Sequence, residues 1–226
     1  MFDYIRDPAE IHKRSFETVR AETDVSGLSA DEAALTVRLV HACGMPEIVK
    51  ELAWGGAPDE AAQQALSDGA SILIDAEMVG AGIMKRRLPS NDTIICTLND
   101  PRTKEIAKTI ANTRSAAAVE LWSNHLAGAV TVFGNAPTAL YRMLELLAKG
   151  APRPAAIFAF PVGFIGAAES KAALIGHAGK IPYITLRGRL GGSAMAAAAM
   201  LVGVRFWRDP SRPSAVVLGL VGGLAA

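Results

Sequence analysis

At 226 residues the chain is long enough for one well-filled core and short for two, so a single α/β domain is expected. Half of the residues are hydrophobic and a fifth are charged, a mix that excludes a disordered chain. The formal net charge of +1 supplies no global field that would gather nucleic acid or an anionic membrane. Any anionic ligand must then be met by locally placed arginines and lysines. The only cysteines, Cys43 and Cys96, form no CxxC pair, which fits a reducing, cytoplasmic setting and points to neither a zinc site nor a disulfide framework.

The N-terminal MFDYIRDPAEIHKR lacks a basic-then-apolar secretory pattern. Asp7, Pro8 and Glu10 have the form of a helix start: a cap, proline at the first helical position, and a carboxylate three residues after the cap. The predicted helix runs through Ile11, Ser15, Phe16 and Val19. Ser29 and Glu32 repeat the capping-box spacing and open a second helix that carries Leu35, Leu39 and Val40 towards His41. An alanine-rich stretch then ends at Asp68-Gly69, a helix stop.

From there the pattern changes to short apolar runs bounded by turn residues: SILID (71–75), TIICT (93–97), AVTVF (129–133), AAIFAF (155–160) and PYITL (182–186). Buried parallel strands read this way. The segments between them, such as Thr113–Leu126 and Pro137–Lys149, are long enough for crossover helices. The fold expected is therefore an open, mostly parallel five-stranded sheet with helices on both faces, preceded by N-terminal helices. Two late apolar stretches, one between Arg189 and Arg205 and one from Ser214 to Ala226, are shorter than the roughly 20 residues of a membrane span. The first reads as a buried, small-faced helix. Residues 1–205 make the single domain, and 206–226 form an extension without an assigned role.

Ligands of open α/β sheets bind beyond the carboxyl ends of the strands. Polar residues and glycines concentrate there, most of all in Arg187-Gly188-Arg189-Leu190-Gly191-Gly192-Ser193. Glycines let backbone N–H groups approach an anion, a helix start adds partial positive charge, and two arginines add forked donors. The competing reading is a glycine-rich turn with two solvated arginines. The segment matches neither GxGxxG nor GxxxxGK[ST], and it lacks the second glycine of a nucleophile elbow.

His41 sits at the end of a helical pattern, where a histidine commonly serves packing or the helix dipole. His12, His125 and His177 are scattered without ligand spacing, so no metal site is expected. Asp75 and Glu77 stand at a strand end as a pair for acid–base work, or with one of them capping the next helix. Asn112-Thr113-Arg114-Ser115 reads equally as a helix start whose arginine reaches a ligand and as a capped helix with an exposed cation. Lys85-Arg86-Arg87 reads as a solvated loop.

Taken in order, eight segments resemble the precorrin-8X methylmutase family from about Tyr4 to Ala199. They are YIRDPAEI with RSF (Arg14–Phe16), VHACG (Val40–Gly44), DAEMV (Asp75–Val79), ICTLNDPRT (Ile95–Thr103), NTRSAAA (Asn112–Ala118), GNAPTAL (Gly134–Leu140), PVGFIGAAESK (Pro161–Lys171) and RGRLGGSAM (Arg187–Met195). Each is weak alone; eight in order are specific.

The resemblance implies a homodimeric isomerase of cobalamin biosynthesis that binds a large, multiply carboxylated tetrapyrrole. A methyl group would move from ring carbon C11 to C12, giving hydrogenobyrinate, or cobyrinate in the cobalt-first route. It also implies His41 as the catalytic residue, Ser15 as a substrate contact and Arg114 as a further one. Arg187 and Arg189 would hold peripheral carboxylates. Such a shift calls for no cofactor and no metal, only protonation of the macrocycle by a group that titrates near neutral pH. Two other classes remain: a non-catalytic tetrapyrrole carrier, and a nucleotide-binding α/β enzyme, against which the missing glycine fingerprint counts.

Overall fold

The computed structural model describes residues 2–85, 88 and 93–205, the last five as helical backbone. Arg86 and Arg87 of the basic loop and the extension 206–226 lie outside the described residues.

Helix α1 (Pro8–Glu22) begins where expected, with the Asp7 carboxylate accepting from the N–H groups of Ala9 and Glu10. Helix α2 (Ala30–Cys43) opens on a complete Ser29/Glu32 capping box and stops at Gly44, whose left-handed backbone closes the last turn onto Val40 O. A 3₁₀ turn (Pro46–Glu51) leads into strand β1 (Leu52–Gly55). Helix α3 (Pro58–Ser67) follows, ending at Asp68.

The doubly wound part comprises β2 (Ile72–Ile74), α4 (Glu77–Gly82), β3 (Ile94–Cys96), α5 (Thr103–Thr109), α6 (Arg114–Glu120), β4 (Val130–Phe133), α7 (Pro137–Ala148), β5 (Ala156–Ala159), α8 (Ala167–His177), β6 (Tyr183–Leu186) and α9 (Ser193–Arg205). The sheet has six strands in the order β1-β6-β5-β4-β2-β3. Five are parallel, and β1 joins β6 antiparallel with Leu52 opposite Leu186.

The five-stranded expectation is thus corrected by one strand. LAWG is four residues inside an alanine-rich stretch and pairs at the sheet edge, so it shows too little alternation to stand out. The expected crossover helix over Thr113–Leu126 is also shorter. Beyond Glu120 the backbone tightens into turns as the buried Trp122 indole turns inward to donate to Thr97 Oγ1 at 3.0 Å.

Both faces of the sheet are covered. On one, α3, α4 and α9 pack on Ile72, Ile74, Val132 and Phe158, with Leu35 and Leu39 of α2 closing the layer. On the other, α6, α7 and α8 pack on Leu73, Ile157 and Ala159 around Trp122 and Phe133. The expected small-faced helix is α9, and Ala196, Ala197 and Ala199 are buried. Small side chains let it lie close to the strand ends. A Cβ on Gly134, just after β4, would stand 2.8 Å from Ser193 Cα.

Candidate active site

The antiparallel β1 has a consequence for the site. Its first residue lies at the carboxyl edge of the parallel strands, so the chain running from His41 through the 3₁₀ turn arrives at that edge. Arg187, immediately after β6, meets it there: its N–H donates to Glu51 O at 2.8 Å and its guanidinium to Leu52 O at 3.3 Å.

His41 and Ser15 are brought together. His41 occupies the last turn of α2, and Ser15 of α1 places Oγ 3.1 Å from its Nδ1. The imidazole stacks on Phe16, ring centroids 4.4 Å apart and inclined by 22°. Phe16 is the buried residue of α1, held between the rings of His12 and His41, with the guanidinium carbons of Arg20 and Arg38 5.6 and 5.1 Å from its centroid. The ring therefore has a fixed plane while its residue remains exposed. Partial desolvation, then the positive charge of Arg38 and then His12, hold the His41 pKa below its usual value.

The arginines are spread along the strand ends. Arg189 is exposed, its guanidinium carbon 5.5 Å above the Phe164 ring. Arg114 begins α6 and reaches Asn99 Oδ1 at 3.4 Å. Beside it the capping Thr113 contacts Thr138 of α7 at 2.8 Å. This end of the edge is braced by Thr97, which donates to Ala118 O, and by Thr103, which donates to Thr97 O. Among the described residues, no hydrogen bond or ion pair joins His41 to Arg114, Arg187 or Arg189.

Asp75 is a bracket for a loop. Its buried carboxylate accepts from the N–H groups of Gly134, Asn135 and Ala136 at 2.8, 3.0 and 2.8 Å, fixing the turn after β4. Burial pushes its pKa up, against the lowering effect of those three donors. The expected cap of the next helix is not formed: α4 has Ala76 at its N-cap and no side-chain cap, and Asp75 instead holds the turn after the neighbouring strand β4. Among the described residues, no three His, Cys, Asp or Glu side chains assemble into a metal-binding group, and no helix is long and apolar enough to cross a membrane.

Lys171 escaped the sequence reading. It is fully buried on α8 and donates from Nζ to Leu190 O at 2.5 Å. The signal was present: Ala167, Ser170, Lys171 and Leu174 form the buried stripe of α8 at helical spacing, an anomalous place for a lysine.

Fold and geometry define an open-sheet α/β protein in which the exposed His41 imidazole is tethered to Ser15 and arginines are spaced along the carboxyl edge of the strands. A family model described as precorrin-8X methylmutase matches residues 10–201. A precorrin-8X methylmutase of Sinorhizobium sp. is 54% identical over 199 residues, covering 88% of this chain and 95% of that protein. One from Pseudomonas aeruginosa is 51% identical over 200 residues, covering 88% and 96%. The crystal structure of a precorrin-8x methyl mutase from Thermus thermophilus superposes with a TM-score of 0.78 at 33% identity, covering 88% of this chain and 95% of that one. The chain belongs to the precorrin-8X methylmutase family.

Proposed function

We propose that His41 promotes migration of a methyl group from C11 to C12 of precorrin-8X, giving hydrogenobyrinate. The chain is an isomerase of cobalamin biosynthesis, as its family is. What carries the residue-level reading is the exposed His41 imidazole, oriented by Ser15 and Phe16 in a chain about half identical to named methylmutases.

The imidazolium donates a proton to the macrocycle and thereby draws π density away from the migrating centre. The methyl carbon leaves C11 and bonds to C12. The proton then returns to the imidazole, so atoms and electrons balance without an oxidant. Ser15 has one contact in this site, with Nδ1, which supports a role in orienting the ring beside the substrate contact that the resemblance implies.

Arg114, Arg187 and Arg189 hold peripheral carboxylates in this reading. From β6 to β3 there are four strand spacings, roughly 19 Å at about 4.8 Å each. That separation suits a ring whose acidic groups lie on its rim. Binding energy from those remote groups then serves orientation at the reacting carbons. The metal-free precursor is the favoured form, because both relatives near half identity are named for precorrin-8X. A homodimer completes the proposal. Phe164 is 85% exposed and Ile165 92%, beside exposed Val162 and Leu190, an apolar rim of the kind that marks an interface.

The test is turnover of precorrin-8X followed by the change in visible absorption, with cobalt-precorrin-8 in a parallel cuvette. Product binding without turnover would replace the isomerase mechanism by the carrier reading.

A further inference from the structure

Among the described residues, Lys171 is the lysine that lies fully out of water, 0% exposed, and no carboxylate pairs with it. Burial alone pushes its ammonium down to about 8. A fold that needed only volume on the inner stripe of α8 would be better served by an apolar side chain, because a buried cation without a counter-ion is costly. The charge must therefore be kept for what it touches, the carbonyl of Leu190.

That carbonyl is the centre of the arginine-bearing loop after β6. On one side, Arg189 O accepts from Gly163 N–H at 3.3 Å. On the other, Gly192 N–H donates to Phe160 O at 2.8 Å. Between them, a Cβ on Gly191 would lie 2.4 Å from Phe160 O and 2.6 Å from Pro161 O, so the loop backbone rests directly on the segment after β5. Backbone groups of Arg189, Leu190 and Gly192 all face inward, while the Arg187, Arg189 and Leu190 residues remain exposed.

We infer that Lys171 is a positioning residue: by holding the Leu190 carbonyl from beneath, its ammonium fixes the loop that presents Arg187 and Arg189 to the carboxylates of the tetrapyrrole. This rests on the reading of those arginines as carboxylate contacts. Lys171 touches no substrate and acts through the loop.

Full-length Lys171→Met and Lys171→Gln proteins, each alone and combined with Arg189→Ala, are titrated with hydrogenobyrinate by visible absorption and assayed for turnover. Both lysine variants should fold, with product affinity down about tenfold and KM raised in parallel, while kcat falls less than about threefold. In the Arg189→Ala background the lysine change should weaken binding by clearly less than the roughly tenfold seen alone, because the part of its effect that passes through Arg189 is already lost.

Unchanged affinity in both lysine variants, with Arg189→Ala weakened, would overturn the role of Lys171 and leave the arginine contacts standing. Unchanged affinity in Arg189→Ala itself would remove the arginine reading and this inference with it. Full additivity, or unfolding of both lysine variants, would reduce Lys171 to a support of the core.

Discussion

Ser15 Oγ and His41 Nδ1, from residues 26 apart in the chain, meet at 3.1 Å and join α1 to α2. With Nδ1 engaged, Nε2 is the ring nitrogen left to meet a ligand. Stacking on Phe16 fixes the plane in which it points. The pair tethers one side of the imidazole and leaves the other untethered, the arrangement that the proposed reversible proton donor needs.

Replacing His41 by Ala should leave the fold and product binding in place while lowering turnover by about 10²–10⁴-fold. Ser15→Ala should cost less, on the order of tenfold, because the ring loses a tether and keeps its stacking partner. Turnover followed by visible absorption, with product titration as the binding control, measures both. A His41→Ala enzyme within a few-fold of wild type would remove the residue from the chemistry.

The pH dependence follows from the surroundings of the ring. Partial desolvation, Arg38 and His12 all lower the His41 pKa, so the free protein carries mostly neutral imidazole at pH 7. If the imidazolium is the acid, kcat/KM falls as pH rises through a value below the usual histidine range. A bound polycarboxylate favours the cation, so the corresponding limb of kcat should lie at higher pH. Arg38→Gln should move the His41 titration upward, read from its ring-proton NMR signals. A downward shift would contradict the electrostatic account.

The parts of this molecule that show in its sequence are those where one rule acts alone. The Asp7 and Ser29 caps and the buried runs from SILID to PYITL depend on short-range pattern, and each forms where expected. Strand β1 does not show, because its identity comes from pairing with β6, some 130 residues later. The same holds for Asp75, whose partners lie 59 to 61 residues away. Ser15 and His41 are each unremarkable in their own helices, and only helix packing makes them a pair. Lys171 was legible as an anomaly in a stripe; its partner, Leu190, was not.

Asp75→Ala should destabilise the protein by about 2–4 kcal/mol, since three backbone donors lose one charged acceptor in a buried place. Asn should do little better, because its amide presents one oxygen where the carboxylate presents two. Urea unfolding measures the change. Stability within about 0.5 kcal/mol of wild type would mean that the turn after β4 holds without the bracket.

At the arginines, Ala at Arg187 or Arg189 should weaken product binding, and Lys should restore only part of it, because a point ammonium lacks the planar fork that matches a carboxylate. Arg187→Ala also removes a contact to Leu52 O, so its unfolding curve should be compared with that of Arg189→Ala. Unchanged affinity in both would return the two residues to solvated surface charge.

The dimer proposal makes the most specific demand on the geometry. An open sheet of this order is expected to bind ligands in a crevice beyond the carboxyl ends of its strands, whereas a tetrapyrrole with carboxylates all round its rim needs walls on several sides. Arg187 and Arg189 stand at the β6 end of that edge and Arg114 near the β3 end, and among the described residues no hydrogen bond or ion pair joins any of them to His41. The exposed Phe164 and Ile165 lie where a covering surface would have to seat. A second copy of the chain is the simplest cover, because a two-fold axis supplies the same helices and the same arginines to each crevice. The proposal is that His41 of one protomer works with Arg114 of the other. Two inactive proteins, His41→Ala and Arg114→Ala, are mixed and allowed to exchange subunits. Mixed dimers then carry one site with both defects and one with neither, so activity should return towards about a quarter of the wild-type level at equal mixing. Proven exchange without recovery would place both residues in one chain's site, and a monomer by sedimentation at working concentration would end the proposal.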